Sequence, residues 1–329
     1  MTYRECYEKG CLALQTAGIE EATLDARLLL EAVCGTNRND LLVHGEQSVT
    51  PEAEEKYLGW IGQRAEHIPL QQLTGEQDFM GLTFAVNEHV LIPRQDTETL
   101  VELVLQEQKD KDISILDMCT GSGCIAVSLK KLGGYAHVEG ADISEEALKV
   151  AKRNSEEILE NNDVNNDAVS SRTEQIQNCT NLTNNQNKQD NSEDRMVPEV
   201  RRVSQTGVTF RHSDMFSSFR GTEQFDVIVS NPPYIPSAVI EELEPEVRDH
   251  EPRGALDGTA DGLYFYRILA EECAKHLTPG GHVYFEIGYD QGMAVKKLLD
   301  NHGFKDTRVI QDLAGKDRVV CGAWQTAGV

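Results

Sequence analysis

The chain has 329 residues, of which 39% are hydrophobic, so it can form a sizeable core and two domains. Its formal net charge of −24 argues against a general nucleic-acid-binding surface and suits a basic protein partner better. No apolar run reaches the roughly 18–20 residues of a membrane helix, and the polar start lacks a signal peptide's apolar stretch. We therefore expect a cytoplasmic protein with no membrane partner. The eight cysteines and nine histidines show no zinc-type spacing, so no metal is expected.

Residues 1–70 predict a small helical domain, and residues 71–94 predict a connector. Gly18 and Gly35 are placed to end the first two helices, and Thr50 with Pro51 is an N-cap followed by a first-turn proline. The connector is expected to contain a β-hairpin. The predicted helices cover residues 3–17, 24–33 and 51–66, and the hairpin strands cover residues 79–86 and 90–92.

Residues 95–329 alternate between strand and helix patterns, which predicts a parallel sheet covered by helices. Asp96 is predicted to cap the first helix of this domain and Ser144 a later one. The last two strands are expected to form an antiparallel pair. Predicted strands cover residues 113–116, 137–141, 208–211, 225–230, 283–287, 304–310 and 319–323, and helices cover residues 125–132 and 263–277.

Residues from about 156 to 206 interrupt this alternation. They are rich in Asn, Gln, Ser, Asp and Glu and contain few large apolar side chains. Such a segment cannot bury enough apolar surface to offset the entropy lost on ordering. The composition predicts a disordered insertion between the second and third strands of the sheet, and it assigns no role to it.

A glycine-rich turn, Cys119-Thr120-Gly121-Ser122-Gly123, follows the first strand of the sheet. Glycines between a strand and a helix let a ligand approach the backbone closely. The turn suits either NAD or an adenosyl group, although the third glycine of the dinucleotide fingerprint is absent, which disfavours a pyrophosphate.

Polar residues follow the next two strands. Asp142 ends the second strand, where an acid can hold ribose hydroxyls, but it could instead flank the helix beside Ser144. Asp214 and Met215 follow the third strand, where an adenine ring could lie. The adaptable side chain of Met215 would pack on a flat ring, or it could simply belong to the core.

The most informative motif is Asn231-Pro232-Pro233-Tyr234, directly after the apolar strand over residues 225–230. Open α/β sheets bind ligands just beyond the carboxyl ends of their strands. The Asn231 side-chain carbonyl and the Pro232 backbone carbonyl are two acceptors, and Tyr234 offers an aromatic face. Such a set suits an NH2 group on a planar amide or base. The alternative interpretation is an ordinary strand-ending turn.

Together these motifs resemble the class I S-adenosylmethionine (SAM)-dependent methyltransferases, which implies an α/β fold with a Rossmann-like seven-stranded sheet. Within this class, the tetrapeptide resembles that of enzymes that methylate a planar nitrogen, either adenine N6 or glutamine N5. The flanking sequences and the helical N-terminal domain are similar to the protein-(glutamine-N5) methyltransferases that modify peptide chain release factors. These flanks are Leu91-Ile92-Pro93-Arg94-Gln95-Asp96-Thr97-Glu98, Glu251-Pro252, Ala255-Leu256, Gly258, Asp261-Gly262-Leu263 and Glu286-Ile287-Gly288.

The resemblance implies a role for each motif. SAM would bind at the glycine turn and the acids, and the glutamine of a Gly-Gly-Gln loop would bind at the tetrapeptide, presented by a release factor that the N-terminal domain grips. The implied SAM-binding residues are Cys119, Thr120, Gly121, Ser122, Gly123, Asp142, Asp214, Met215 and Asn231. The implied substrate-binding residues are Asn231, Pro232, Pro233 and Tyr234, of which Asn231, Pro232 and Tyr234 would be catalytic.

Three features depart from the family pattern. The family often has glycine where Cys119 stands, it commonly has proline where Gln95 stands, and the polar insertion is unusual. Three alternatives remain at this point. They are a glutamine methyltransferase for a ribosomal protein, a nucleic-acid adenine-N6 methyltransferase, which the charge of −24 disfavours, and a non-catalytic adenosyl-binding module, which would have no need of Asn231 and Tyr234.

Overall fold

The computed structural model describes residues 1–160 and 207–325. The chain divides into two compact units, of which the first contains Met1–Gln77, Val86–Ile92 and Ala238–Arg253, and the second contains Asp78–Ala85, Pro93–Ser237 and Gly254–Val329. The domain bounds predicted at residues 70 and 94 stay a prediction. No helix within the described ranges is both long and apolar enough to cross a membrane.

The helices and strands follow one another along the whole described chain. The helices are α1 (Tyr3–Thr16), α2 (Ala22–Cys34), α3 (Arg38–Val43), α4 (Pro51–Ala65), α5 (Leu70–Thr74), α6 (Glu98–Glu107), α7 (Cys124–Gly133), α8 (Glu145–Glu160), α9 (Ser237–Ile240), α10 (Pro245–His250), α11 (Arg253–Leu256), α12 (Tyr264–His276) and α13 (Gly292–Asn301). The strands are β1 (Glu76–Phe79), β2 (Leu82–Ala85), β3 (Ser114–Met118), β4 (His137–Asp142), β5 (Thr209–His212), β6 (Phe225–Ser230), β7 (Leu277–Glu286), β8 (Lys305–Gln311) and β9 (Asp317–Ala323). A 3₁₀ turn, Gln95–Thr97, precedes α6.

Local capping explains where the N-terminal helices begin and end. Gly18 and Gly35 have φ angles of 79° and 60°; Gly18 follows the C-cap Ala17 of α1, and Gly35 directly follows α2. The Thr50 hydroxyl accepts a hydrogen bond from the Ala53 N–H at 3.3 Å, and Pro51 fills the first turn of α4. The predicted helix ends are therefore confirmed.

A buried ion pair joins three helices of the first unit. Arg64 on α4 is 4% exposed, and its Nε donates to Asp25 Oδ2 on α2 at 2.7 Å. Its second amino group binds Glu246 on α10. Gln72 Nε2 also donates to the His250 carbonyl, at 2.8 Å, so the sequence just after the tetrapeptide packs into this unit.

The predicted hairpin exists, but its strands are wrong. Met80 and Gly81 have φ angles of 55° and 75°, and they form a two-residue turn between β1 and β2. Positive φ at both central residues is the geometry that matches the twist of a tight hairpin. The turn therefore lies inside the segment predicted as the first strand, and residues 90–92 form no strand.

The second unit is built on a seven-stranded sheet with strand order β5-β4-β3-β6-β7-β9-β8. The strands β5, β4, β3, β6 and β7 are parallel, and β9 runs antiparallel to both β7 and β8. This arrangement confirms the predicted α/β sheet and its closing antiparallel pair. The strand order reverses between β3 and β6, which is the point where open sheets bind ligands.

Strand register aligns the carboxyl ends of four strands. Met118 pairs with Ala141 on one side and with Ser230 on the other, and Ser230 pairs with Phe285. The residue that follows each of these four aligned positions in the chain therefore lies at the same edge of the sheet. In spatial order these residues are Asp142, Cys119, Asn231 and Glu286.

Two apolar clusters cover the faces of the sheet. One cluster packs α6 and α7 on the sheet through residues such as Leu100, Val104 and Val127. The other packs α12 and α13 through residues such as Leu269 and Leu299. Because both faces are buried, the central strands are apolar runs, and a polar residue at a strand end stands out.

Three further expectations need correction, and one helix was missed. Asp96 does not cap α6, whose N-cap is Thr97 and has no side-chain capping hydrogen bond; the Asp96 carboxylate instead pairs with Arg318 at 2.8 Å. α8 continues to Glu160, so residues 156–160 are helical, and residues 161–206 of the predicted insertion lie outside the described residues. β7 begins at Leu277 and runs through the Pro279-Gly280-Gly281 segment that was expected only to end a helix. α13 was not predicted at all.

Replacing Arg64 by Ala should destabilise the first unit by about 3–5 kcal/mol, because it leaves the buried Asp25 carboxylate without a cation. The half-buried Arg27 makes an i,i+4 pair with Glu31 at 2.8 Å and provides the matched control, with an expected loss of about 0.3–0.5 kcal/mol for Arg27→Ala. Urea unfolding followed by Trp60 fluorescence in a Trp324→Phe background measures both. Equal losses for the two variants would contradict the structural role of Arg64.

Candidate active site

A buried carboxylate at the end of β3 anchors the glycine-rich turn. Asp117 is fully buried, and its Oδ2 accepts hydrogen bonds from the Thr120 hydroxyl at 2.5 Å and the Ala126 N–H at 3.2 Å. Burial raises the pKa of Asp117 to about 7. The turn and the first turn of α7 are thus tied to one side chain.

The backbone of the turn is left-handed at three positions. Cys119, Gly121 and Gly123 have φ angles of 63°, 54° and 80°. A Cβ atom built on Gly121 would meet nothing within 4 Å, so open space adjoins the backbone there, as close approach of a ligand requires. Cys119 already adopts a conformation that favours glycine, so its difference from the usual family residue leaves the shape of the turn in place.

Asp142 connects the glycine turn to the end of β4. Its Oδ2 accepts the Gly121 N–H at 2.8 Å, and its Oδ1 accepts the Ser144 N–H at 2.9 Å. Ser144 in turn caps α8 by accepting the Ala147 N–H at 3.1 Å, as predicted. Burial raises the pKa of Asp142, and backbone N–H groups act in the opposite sense. Each carboxylate oxygen retains a second lone pair, so this side chain can flank the helix and still accept ligand hydroxyls.

Asp214 and Met215 follow β5, but they differ in exposure. Asp214 is exposed, whereas Met215 is 6% exposed and packs in the core cluster under α12. The Met215 sulfur lies 3.9 Å from the Cys119 sulfur, and the Met215 carbonyl accepts the Ser213 hydroxyl at 2.6 Å. Met215 therefore lies beside the glycine turn.

The tetrapeptide begins next to the glycine turn. The Ser230 hydroxyl donates to the Met118 carbonyl at 2.6 Å, which joins β6 to β3 immediately before Asn231 and Cys119. Asn231 is half-buried, and its Nδ2 donates to Thr97 Oγ1 at 3.3 Å. With Nδ2 bound to Thr97, the carbonyl oxygen is the end of the Asn231 amide that can accept a hydrogen bond from a ligand. Pro232 and Pro233 are buried.

Residues 256–262 pack against the backbone that follows the tetrapeptide. The Ile235 N–H donates to the Leu256 carbonyl at 3.0 Å, and the Gly258 N–H donates to the Ile235 carbonyl at 2.9 Å. Gly262 has a φ angle of 70°, and a Cβ atom there would lie 2.3 Å from the Tyr234 carbonyl oxygen. The flanking glycines noted in the sequence are thus required by close backbone packing behind Tyr234.

Tyr234 is held through its backbone and lies beside a buried acid. Its carbonyl accepts a hydrogen bond from Gln291 Nε2 at 2.9 Å, and its side chain lies near the Glu286 carboxylate. Burial, together with the nearby Glu286 charge, raises the pKa of the Tyr234 hydroxyl well above its ordinary value. This hydroxyl therefore stays protonated and acts as a donor.

Glu286 and Thr97 are the main features of the site that sequence reasoning missed. Glu286 is 1% exposed at the end of β7 and lies near Thr97 and Tyr234, and its Oε2 atom has no hydrogen-bond partner among the described residues. Burial raises its pKa to about 7, Arg318 opposes this change, and Asp96 reinforces it. The sequence did contain a signal for Glu286, because an acid stands at the end of the apolar residues 283–285. An acid at the end of a predicted strand is also what drew attention to Asp142.

The sequence-predicted residues thus converge in part. Residues 119–123, Asp142, Met215 and Asn231 lie around one edge of the sheet, and the exposed Asp214 lies next to them in sequence. Their ligand-binding and catalytic roles stay predictions. The arrangement leaves open space at the backbone of Gly121 and places the Asn231 amide, bound to Thr97 through Nδ2, on the neighbouring strand.

Comparison with known proteins places the chain in a family. A model described as the PrmC N-terminal domain matches residues 5–75, and a model described as Eco57I restriction-modification methylase matches residues 136–299. A release factor glutamine methyltransferase of Geobacter sulfurreducens is 36% identical over 96% of this chain and 94% of its own length. One of Moorella thermoacetica is 37% identical over 97% of both chains.

The chain belongs to the release factor glutamine methyltransferase family. It is accordingly an enzyme of the methyltransferase class. A solved protein-(glutamine-N5) methyltransferase (release factor-specific) from Alicyclobacillus acidocaldarius is 22% identical, with a TM-score of 0.34, over 74% of this chain and all of that chain. Membership of the family rests on the sequence relatives.

The raised pKa of Glu286 predicts a pH-dependent contribution to the stability of this methyltransferase. An unfolded glutamate loses its proton near pH 4.5, whereas folded Glu286 keeps its proton until about pH 7. Folded wild-type protein therefore binds more protons within this window, and its stability falls as the pH rises. Glu286→Gln lacks this titration.

We expect the unfolding free energy of wild type, relative to Glu286→Gln, to decrease by up to about 3 kcal/mol between pH 4.5 and pH 7. Urea unfolding at four or five pH values in this range measures the difference. Asp117 titrates in both proteins, so its contribution cancels. Parallel stability curves for the two proteins would show that Glu286 is not held protonated by burial.

Proposed function

We propose that this enzyme methylates the N5 amide nitrogen of the glutamine in the Gly-Gly-Gln motif of peptide chain release factors, with SAM as methyl donor. The observation that carries the proposal is the side-by-side exit of Cys119 and Asn231 from β3 and β6. It brings the glycine-rich turn next to the Asn231 side-chain amide. The names of relatives that align over nearly the whole chain supply the substrate.

The residues around the glycine turn fit the parts of SAM. Gly121 leaves open space at the backbone for the methionine part, and Asp142 retains acceptor capacity for ribose hydroxyls. Met215 beside Cys119 offers a polarisable surface for the adenine, and Asp214 adjoins it in sequence. When bound, SAM supplies a methyl group on a positively charged sulfur.

The tetrapeptide has the groups needed to orient a carboxamide. The nitrogen of an amide is a poor nucleophile because its lone pair is delocalised into the carbonyl. The Asn231 side-chain oxygen and the Pro232 carbonyl can each accept one of the two amide hydrogens, and the Tyr234 ring can stack on the amide plane. The amide nitrogen would then turn its lone pair towards the methyl group.

Orientation accounts for a large part of such a reaction. Correct placement of two bound reactants can lower a barrier by as much as about 7–11 kcal/mol. The nitrogen releases its proton only after it becomes cationic, so the reaction requires no strong base among the site residues. This is consistent with a site made of an amide, a carbonyl and an aromatic ring.

The overall charge is consistent with the proposed partner. A release factor works inside the ribosome, where basic surfaces are favoured, and the net charge of −24 would attract a basic protein. The helical N-terminal region that matches the PrmC N-terminal model is the proposed contact for the folded release factor. Such a substrate would be met in the cytoplasm.

One observation favours a second candidate, methylation of an adenine amino group in nucleic acid. The Eco57I restriction-modification methylase model matches residues 136–299, which include the tetrapeptide. Two acceptors and an aromatic face could hold adenine as well as a carboxamide. The acidity of the chain and the full-length relatives favour the release factor. A ribosomal-protein glutamine would be methylated by the same chemistry.

Asn231→Ala should reduce methyl transfer to an unmodified release factor by at least about 10²-fold, the usual effect of losing one preorganised polar group at a reacting centre. SAM binding should weaken only modestly. Single-turnover transfer of a labelled methyl group and calorimetry with SAM measure the two effects. The exposed Asn301 on α13 provides the control variant Asn301→Ala, which should behave as wild type. Retained transfer in Asn231→Ala would exclude the acceptor role.

A substrate competition discriminates the candidates. The enzyme is incubated with labelled SAM, an unmodified release factor, a ribosomal protein mixture and DNA, and the label is located by mass spectrometry. We expect the label on the Gly-Gly-Gln glutamine, and a release factor with that glutamine replaced should remain unlabelled. Label on adenine or on a ribosomal protein would overturn the proposed substrate.

A further inference from the structure

The orientation of the Asn231 side chain is critical to the proposed reaction. A carboxamide has a donor end and an acceptor end of nearly the same shape, and only the acceptor end can bind an amide hydrogen of the substrate. The tetrapeptide itself does not determine which end faces the ligand. A contact outside the tetrapeptide has to select it.

Thr97 makes that contact. Its hydroxyl oxygen accepts a hydrogen from Asn231 Nδ2 at 3.3 Å, and the residue is 2% exposed. A hydroxyl group has one hydrogen to donate. If Thr97 donated it to Asn231, the carboxamide would be reversed and its NH2 group would face the substrate. The direction of the Thr97 O–H bond thus decides the direction of the amide.

Glu286 fixes the direction of the Thr97 hydroxyl. Its carboxylate lies near Thr97 and is 1% exposed, and its Oε2 atom has no hydrogen-bond partner among the described residues. An ionised carboxylate can only accept, so it draws the hydrogen of the Thr97 hydroxyl towards itself and leaves the Thr97 oxygen to accept from Asn231. The same carboxylate lies near the Tyr234 side chain, so one buried acid is close to both Thr97 and the aromatic ring.

The surroundings of Glu286 hold it in place and favour its charge. The Tyr266 hydroxyl donates to the Glu286 backbone carbonyl at 2.7 Å. Arg318 is 8% exposed, lies near Glu286, and pairs with Asp96 at 2.8 Å and with Asp312 at 3.1 Å. Its positive charge favours the ionised form of Glu286, which is the main form above the pKa of about 7.

We propose that Thr97 and Glu286 are positioning residues that set the Asn231 carboxamide with its oxygen towards the substrate nitrogen. The inference rests on the proposed function, which assigns the substrate to Asn231. It also gives a role to two segments that resemble the family but had no assigned role in the sequence analysis. These segments are residues 91–98 and Glu286-Ile287-Gly288.

Thr97→Val tests the proposal, because valine keeps the shape of threonine and removes the hydroxyl. We expect a fall in kcat of about tenfold or more, the scale of one orienting hydrogen bond to a reacting group, with the affinity for SAM unchanged. Thr97→Ser restores the hydroxyl and should recover kcat to within about threefold of wild type.

Thr278→Val is the matched control. The Thr278 hydroxyl also donates to a carboxylate, Asp226 Oδ1 at 2.9 Å, but it lies at the amino end of β7, on the opposite edge of the sheet from Asn231. This substitution removes the same type of hydrogen bond and should leave kcat unchanged. Thermal unfolding of all variants separates a loss of stability from a loss of turnover.

A double mutant tests whether Thr97 affects turnover through Asn231. If Thr97 acts through Asn231, Thr97→Val should reduce turnover no further in an Asn231→Ala background. The proposal is overturned if Thr97→Val keeps wild-type kcat, if Thr97→Ser loses as much as Thr97→Val, or if the two losses multiply in the double mutant. Failure of wild type to methylate a release factor would instead reject the proposed function, so the two failures are distinguishable.

Discussion

The parallel pairing of β3 with β6 is the constraint on which the site depends. Met118 and Ser230 are in register, and the Ser230 hydroxyl binds the Met118 carbonyl at 2.6 Å. A shift of one residue in this register would reverse the face on which every later side chain of the strand lies. Register therefore determines that the glycine turn and the tetrapeptide leave the sheet as neighbours, before any ligand is considered.

Two buried acids maintain the shape that this register creates. Asp117 holds the glycine turn and the start of α7, and Glu286 lies beside Thr97 and Tyr234. Burying a carboxylate is costly unless it is hydrogen-bonded, and the pKa values of both groups are raised to about 7 by burial. Retention of such groups next to the site is consistent with a requirement for rigid geometry.

Most of the fold and the candidate site could be predicted from local patterns. Apolar runs gave the strands, and polar residues directly after them gave Asp142 and Asn231. The hairpin bounds were wrong because Met80 takes a left-handed conformation that sequence does not favour for methionine. Asp96 looked like a cap because its partner Arg318 is more than 200 residues away in the chain. Thr97 was overlooked for the same reason, since its importance arises only from contacts across the sheet.

A crystal structure of the enzyme with S-adenosylhomocysteine and an unmodified release factor would test the central claim most directly. The distance to measure joins Asn231 Oδ1 to the side-chain nitrogen of the Gly-Gly-Gln glutamine. The account predicts a hydrogen bond of about 2.7–3.2 Å, with the Pro232 carbonyl at a similar distance from the same nitrogen. A glutamine side chain bound away from Asn231, or an Asn231 side chain that has left Thr97 and turned from the substrate, would contradict it.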